Sequence, residues 1–370
     1  MKKLALLLGS LLVVGATASA KEVVVAPVEV SKEVVVVAEP VVEVVVLEEA
    51  FRPSGYIGVE YRAYGKTENH GDKIIMDPVT NQPATDQDTW NRGLNDYARL
   101  QTTFGIQMTE NSRLEARIRD YHDLERADST REVNGGKDGT ETRLRYFYKH
   151  NSDLTSRLQY RDEENNSQNF EYKLLYNAYS NKGGLLSSFS VQPNIYHSMP
   201  KDNGGNYLNS IGIDFGYAGN LPFGFTWDGT IYLDQNFYNN SNAIQKGVNS
   251  TTDKEFVVTW ELYLYRTFAL YSTDDYELDF NFEGGYDPYV FRQYDRYSLD
   301  KKTNTYKKSD KDSYSLYTSM NLSVNYQLTP AISLNGGVGA EYRNWDNENQ
   351  SSANDWRWQP YAFAGMKVNF

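Results

Sequence analysis

The stretch Tyr361-Ala362-Phe363-Ala364-Gly365-Met366-Lys367-Val368-Asn369-Phe370 ends the chain and decides how the rest is read. Counting back from Phe370, every second residue (Val368, Met366, Ala364, Ala362) is apolar, while Asn369, Lys367 and Gly365 between them are polar or small. Strand side chains alternate between faces, so the segment has one greasy and one wet face over about the ten residues that cross an outer membrane. A soluble edge strand can alternate in the same way. A terminal Phe closing such a strand is the ending of outer-membrane barrels, where Ala364, Met366, Val368 and Phe370 form the signal for the barrel-assembly machinery.

Working back, the same alternation recurs from Tyr56 onward. Ile57, Val59, Tyr61 and Ala63 share one face against Glu60 and Arg62; Ala98, Leu100, Thr102, Phe104, Ile106 and Met108 alternate with Arg99, Gln101, Thr103 and Gln107. Leu114, Ala116 and Ile118 then oppose Arg113, Glu115, Arg117 and Arg119. Further strands are predicted near 141–149, 155–162, 169–178, 185–196, 207–217, 225–237, 255–265, 276–287, 314–327, 331–343 and 356–370, giving fourteen, or sixteen if two more hide in the longer loops. Long polar connections (65–95, 122–140, 197–206, 238–253, 292–313, 344–355) follow odd strands, with 163–168 the one short exception. Shorter turns (109–112, 150–154, 179–184, 218–224, 266–275, 328–330) follow even ones. A soluble sandwich gives no reason for that parity, whereas a hairpin barrel with short turns at one end and long loops at the other requires it. The expectation is an all-β, transmembrane, antiparallel up-and-down β-barrel embedded in outer-membrane lipid.

The N-terminus sets the compartment. Met1-Lys2-Lys3, an apolar run over 4–16 and Ala18-Ser19-Ala20 read as a cleaved secretory signal peptide of residues 1–20, the run being too short for a spanning helix. Residues 21–52 are a Val/Glu-rich segment broken by Pro27 and Pro40, read as a periplasmic linker. The barrel occupies 53–370. The chain holds no cysteine, which excludes disulfide staples, thiolate chemistry and Cys-based metal sites. A formal net charge of −12 argues against nucleic acid as a partner. Thirty tyrosines and a mean hydropathy of −0.64 are reconciled by a barrel, in which only alternate residues meet lipid and aromatic girdles mark both interfaces.

If the apolar face meets lipid, its partner lines the lumen. Early strands then place Arg62, Arg99, Arg113, Arg117, Arg119, Arg143, Arg145, Arg157 and Arg161 inward, with Lys149 and with Glu60, Glu115, Glu141 and Glu171 among them. Later strands place Asp214, Asp228, Asp234, Glu261, Glu277, Asp279, Glu283 and Asp287 inward with few bases. A basic wall facing an acidic wall focuses a transverse field across the water, which orients polar solutes; local pairing of charges is the plainer alternative. Catalysis has little support: His70, His122, His150 and His197 fall in or beside loops and turns, with no two at metal-ligand spacing, and no Gly-rich phosphate loop or EF-hand pattern occurs. The chain therefore reads as a non-enzyme without a cofactor. Loop 65–95, with Ile74-Ile75-Met76, is a candidate to fold inward and narrow the pore; the acidic loop 346–349 reads as solvated, with a calcium contact the alternative, and the lysine-rich loop 301–311 reads either as solvated or as a contact for anionic sugars.

The chain also resembles the major outer-membrane porins of fusobacteria. The likeness spans nearly its whole length and rests on Met1-Lys2-Lys3-Leu4-Ala5-Leu6 through Leu11-Leu12-Val13-Val14-Gly15, on Lys21-Glu22-Val23, on Arg52-Pro53 leading into Tyr61-Arg62, and on Glu283-Gly284-Gly285-Tyr286-Asp287. It continues with Ala340-Glu341-Tyr342-Arg343-Asn344, Trp356-Arg357-Trp358-Gln359-Pro360 and Ala364-Gly365-Met366-Lys367-Val368 before Phe370. The resemblance implies a homotrimeric, voltage-gated channel for passive diffusion of small hydrophilic solutes and ions, with loops that serve in adhesion to bacterial or host surfaces. Loops and linker depart most from the family, so adhesion transfers least. The competing function is a structural or adhesive barrel with a closed lumen.

Overall fold

The computed structural model describes residues 51–68, 97–124, 139–164, 166–201, 205–247, 250–294, 297–300, 305–308, 316–344 and 356–370. The signal peptide, residues 21–50 of the linker, Ile74-Ile75-Met76 of the candidate constriction loop, and the 301–304 and 346–349 loop segments lie outside them.

In chain order the described residues form β1 (Ser54–Tyr64), β2 (Tyr97–Gln107), β3 (Ser112–Asp123), β4 (Gly139–Lys149), β5 (Leu154–Glu163), β6 (Ser167–Ser180), β7 (Ser188–Pro200), β8 (Leu208–Asn220) and β9 (Thr226–Tyr238). There follow β10 (Ile244–Gly247), β11 (Ser250–Thr252), β12 (Lys254–Ser272), β13 (Tyr276–Arg292), β14 (Tyr297–Asp300), β15 (Thr305–Lys308), β16 (Leu316–Thr329), β17 (Ile332–Asn344) and β18 (Trp356–Asn369). Fourteen of these close into an antiparallel barrel in the order β1-β18-β17-β16-β13-β12-β9-β8-β7-β6-β5-β4-β3-β2. The alternating pattern thus yields the expected fold and strand number. The four remaining strands form two separate hairpins, β10-β11 and β14-β15, inside long connections, so they add no staves to the wall.

Closure is made by β18, the strand on which the sequence reading turned. It pairs with β17 on one side and with β1 on the other, from Tyr56↔Asn369 to Tyr64↔Tyr361, and no edge is left with unpaired backbone groups. At this seam rings cover glycines: a Cβ on Gly339 would stand 2.7 Å from Tyr361 Cζ, and one on Gly337 2.7 Å from the Phe363 ring. An aromatic lying flat across a partner strand needs glycine beneath it, so ring and glycine fix the register together. Pro193, which lacks an N–H, interrupts the β6–β7 ladder between Lys173↔Asn194 and Tyr176↔Val191 without changing its register.

One end of the barrel carries the short turns. The predicted turn 266–275 shrinks to 273–275, because β12 and β13 run on beyond their neighbours, bulged between Trp260 and Leu262 and between Ala269 and Tyr271. A 3-10 turn, Pro222–Gly224, links β8 to β9. At the other, loop end, residues 65–68 leave β1 and follow β18, with Gly65 N–H donating to Pro360 O at 2.9 Å and Gln359 Nε2 to Gly65 O at 3.0 Å.

Candidate functional site: the inward wall

The register sorts side chains onto two faces, and the inward one is the less exposed, carrying the charged and hydrogen-bonding side chains that bridge strands. Lys173 on β6 reaches Asp214 on β8 and stands 6.0 Å over the Tyr232 ring on β9, and the Tyr361 hydroxyl on β18 lies 2.9 Å from Ser319 on β16. Residues of the opposite phase, such as Leu158, Ile195, Ile211, Leu322 and Val338, are exposed, Ile211 to 61%. Apolar side chains facing outward and charged ones facing inward is the reverse of a soluble barrel. Aromatic contacts gather at both rims of the outward face. At the loop end they include Tyr160–Phe170, His197–Tyr207 and Tyr342–Trp358; at the turn end, Tyr217–Trp227, Phe225–Phe268 and Tyr271–Tyr276.

Strands β1 to β6 hold all nine arginines singled out above. Registers place Arg117, Arg143 and Arg161 side by side across β3, β4 and β5. Glu141, one residue pair higher and with 5% of its side chain exposed, accepts from Arg117 and, at 2.9 Å, from Arg161, with Arg119 at 3.9 Å. Arg62 and Arg99 share Glu60 at 3.1 Å each. Arg157 meets Glu171; Arg145 and Arg119 donate to the amide oxygens of Gln159 (2.6 Å) and Gln101 (2.7 Å). Arg113 pairs with Glu115 at 3.2 Å and lies 4.4 Å over the Phe147 ring. Among the described residues Arg143 alone of the nine makes no hydrogen bond or ion pair. Basic residues are thus threaded with carboxylates, and charge is partly cancelled where it stands.

The later arc is built differently. Tyr232 donates to Glu261 at 2.9 Å and Tyr317 donates to Glu283, so two carboxylates accept from phenols, which are neutral donors. Asp234 takes a 3.5 Å contact from Ser210, and Asp228 lies between Ala218 and Tyr263 in the register. Asp279 and Glu277 lie in the turn half of β13, in register with Ser323 and Asn325 of β16. The side chain of Asp287 lies outside the described residues. Two carboxylates do meet cations: buried Asp214 binds Lys173 and, at 2.8 Å, Asn194, and Glu255 meets Arg292 at 3.3 Å. Where the arcs meet, Glu171, Lys173, Asn194, Asp214, Tyr232 and Asp234 line a cavity of 220 Å³.

Lys173, Arg292, Arg343 and Arg357 of this wall escaped the sequence reading. Lys173 follows the β6 alternation in phase with Glu171 and was legible from that phase. Arg343 and Arg357 are in register with each other and with Tyr317; Arg343 bonds Glu341 at 2.5 Å and lies 4.5 Å over the Tyr317 ring. Both adjoin the basic arc through the β18–β1 seam, so the arc runs from β17 through β6. The histidines are scattered: His122 lies 3.4 Å from the Tyr61 hydroxyl, His150 2.6 Å from Ser156 Oγ and His197 2.7 Å from Asn209 Oδ1, while His70 is outside the described residues. Ala364, Met366 and Val368 share the outward face of β18, and the final Phe370 is exposed.

No protein-family model and no curated relative matches this sequence. Among solved structures the chain is similar to a bacterial polysaccharide outer membrane secretin, at 10% identity and TM-score 0.40 over 85% of this chain and 98% of that one. It is also similar to a variant of OccD1 (OprD), at 11% identity and TM-score 0.35 over 86% and 96%. An anion-selective porin from Comamonas acidovorans aligns at 10% identity and TM-score 0.31 over 86% and 99%.

Proposed function

We propose that this chain is an outer-membrane porin, a passive water-filled channel for small hydrophilic solutes and ions. The observation that carries this reading is the pairing of an apolar outward face, rimmed by aromatic residues, with an inward face of charged and hydrogen-bonding side chains in a closed fourteen-stranded wall. In lipid every backbone polar group must be satisfied internally, which closure achieves, and polar residues have no reason to line an interior unless water fills it. No covalent chemistry is assigned. Solute passage depends on the width of the lumen and on the field between the Arg-rich arc and the carboxylate arc.

Export by a cleaved signal peptide over 1–20, a periplasmic linker over 21–52, insertion through the barrel-assembly machinery, assembly as a homotrimer and voltage gating complete the proposal; the last two rest on the resemblance to fusobacterial porins. Liposome swelling tests the channel reading. Vesicles containing the refolded protein are expected to swell in neutral sugars at rates that fall steeply from pentoses to trisaccharides. Folded, inserted barrels that give no swelling with any sugar contradict it and leave the adhesive or structural reading in its place.

A further inference from the structure

Charged side chains on the outward face of the barrel strands, among the described residues, are few. Asp120, Asp162 and Lys254 lie near the loop end, and Arg266 lies near the turn end. Its phase is set by its neighbours: Tyr265 is opposite Glu283 and Thr267 opposite Asn281 on the inward face, while Arg266 is opposite Phe282 on the other. A lone guanidinium among phenylalanines on a lipid-facing surface calls for a partner. Asp162 near the loop end has one in Lys201.

The surroundings of Arg266 are shaped to hold its side chain in place. Its guanidinium carbon lies 5.8 Å from the Phe225 ring and 4.8 Å from the Phe268 ring, within the range of cation–π attraction. The β8–β9 turn comes up to it: Gly224 has φ +73°, and a Cβ there would stand 1.6 Å from Arg266 Nη1. Only glycine both adopts that backbone and leaves room for the guanidinium. Phe223 beside it takes φ 63°, a conformation few residues with a Cβ adopt, and the residue is 87% exposed in the turn. Arg266 Nε is buried without a hydrogen-bond partner. The turn therefore positions the guanidinium and supplies apolar flanks but no counter-charge.

We propose that Arg266, set between Phe225 and Phe268 over Gly224, binds the phosphate group of a membrane phospholipid at the turn end of the barrel. The inference rests on the membrane reading above. A guanidinium offers a planar fork of donors that matches two phosphate oxygens, and the flanking rings suit the first carbons of acyl chains. Placing the cation at the rim keeps it where an outward charge is tolerated best.

Native mass spectrometry of the full chain, refolded in bilayers of phosphatidylglycerol or of phosphate-free galactosyl diacylglycerol and released in mild detergent, tests the idea. Wild type is expected to retain one phosphatidylglycerol per barrel and no galactolipid above background. Arg266→Gln should lower phosphatidylglycerol retention about tenfold, the weight of one charge-assisted hydrogen bond. Arg266→Lys should fall between, and Gly224→Ala, which leaves the cation but pushes it off the turn, should also lose lipid. Equal retention by wild type and Arg266→Gln overturns the proposal; if Arg266→Gln does not fold, equal retention by Arg266→Lys and Gly224→Ala does so. Displacement of the lipid by excess inorganic phosphate overturns the lipid as ligand. Failure of wild type to insert into either bilayer contradicts the channel reading itself, a result distinct from all of these.

Discussion

The two arcs of the inward wall solve the same problem in different ways. On β1 to β6 like charges crowd together, and the sequence interleaves carboxylates so that Glu60, Glu141 and Glu171 each serve two or more bases. On β8 to β13 Glu261 and Glu283 accept from tyrosine hydroxyls instead. Ion pairs cancel charge where they form; hydroxyl donors orient a carboxylate without cancelling it. The difference teaches that counting arginines overstates the positive potential of one arc, because Glu60, Glu141 and Glu171 stand among them. Held in a low-dielectric wall, such charges act on the lumen within about a Debye length, about 8 Å at physiological salt.

That contrast can be broken first at its tightest node. Glu141→Gln leaves Arg117, Arg119 and Arg161 without their shared carboxylate and should cost about 3 kcal/mol, the low end for a broken buried ion pair because the lumen is wet. Urea unfolding of the barrel in lipid vesicles, followed by tryptophan fluorescence, measures it; a midpoint unmoved from wild type would mean that the guanidiniums are solvated independently. Next in size is Asp214→Asn at the junction of the arcs. Lys173 loses one carboxylate but keeps Glu171 at 3.1 Å, so about 2 kcal/mol is expected in the same assay.

On the acidic arc Tyr232→Phe removes a donor from Glu261 and should cost about 1 kcal/mol. Because the charge of Glu261 is untouched, the ion permeability ratio should stay put, and a shift towards anions would show that the phenol does more than hold the carboxylate. The smallest effect on folding is expected for Arg143→Gln, within about 0.5 kcal/mol of wild type, since Arg143 has no partner to lose. Its signature is electrical: deleting an uncancelled positive charge should move the reversal potential towards cations. The reverse outcome, a destabilised barrel with unchanged selectivity, would make Arg143 a structural residue.

Alternation over Tyr56 to Phe370 carried the fold because a barrel wall has one requirement per strand, and period two expresses it directly. The phase fails where backbone irregularities intervene. In β12 the bulges at 260–262 and 269–271 and the apolar run Phe268-Ala269-Leu270-Tyr271 hide the strand beyond Tyr265, so Arg266 was read as part of a turn and its outward orientation went unseen. Hairpins β10-β11 and β14-β15 lie in polar connections whose pairing serves the loops rather than the wall. For the inward wall, the segregation of arginines and carboxylates was visible along the chain, but the membership of Arg343 and Arg357 in the basic arc was not. Some 280 residues separate Arg343 from Arg62, and only closure of β18 on β1 brings their strands together. The pairing of each arginine with its carboxylate depends likewise on register, which alternation leaves open.

The most direct test of the whole account is single-channel conductance of the refolded protein in a planar bilayer with a salt gradient across it. Discrete, ohmic steps with a small reversal potential on the cation-selective side are predicted, because the basic arc is partly neutralised from within. A correctly folded barrel that stays silent at every voltage would contradict the open lumen, and well-resolved steps with strong anion selectivity would contradict the proposed role of the carboxylate arc.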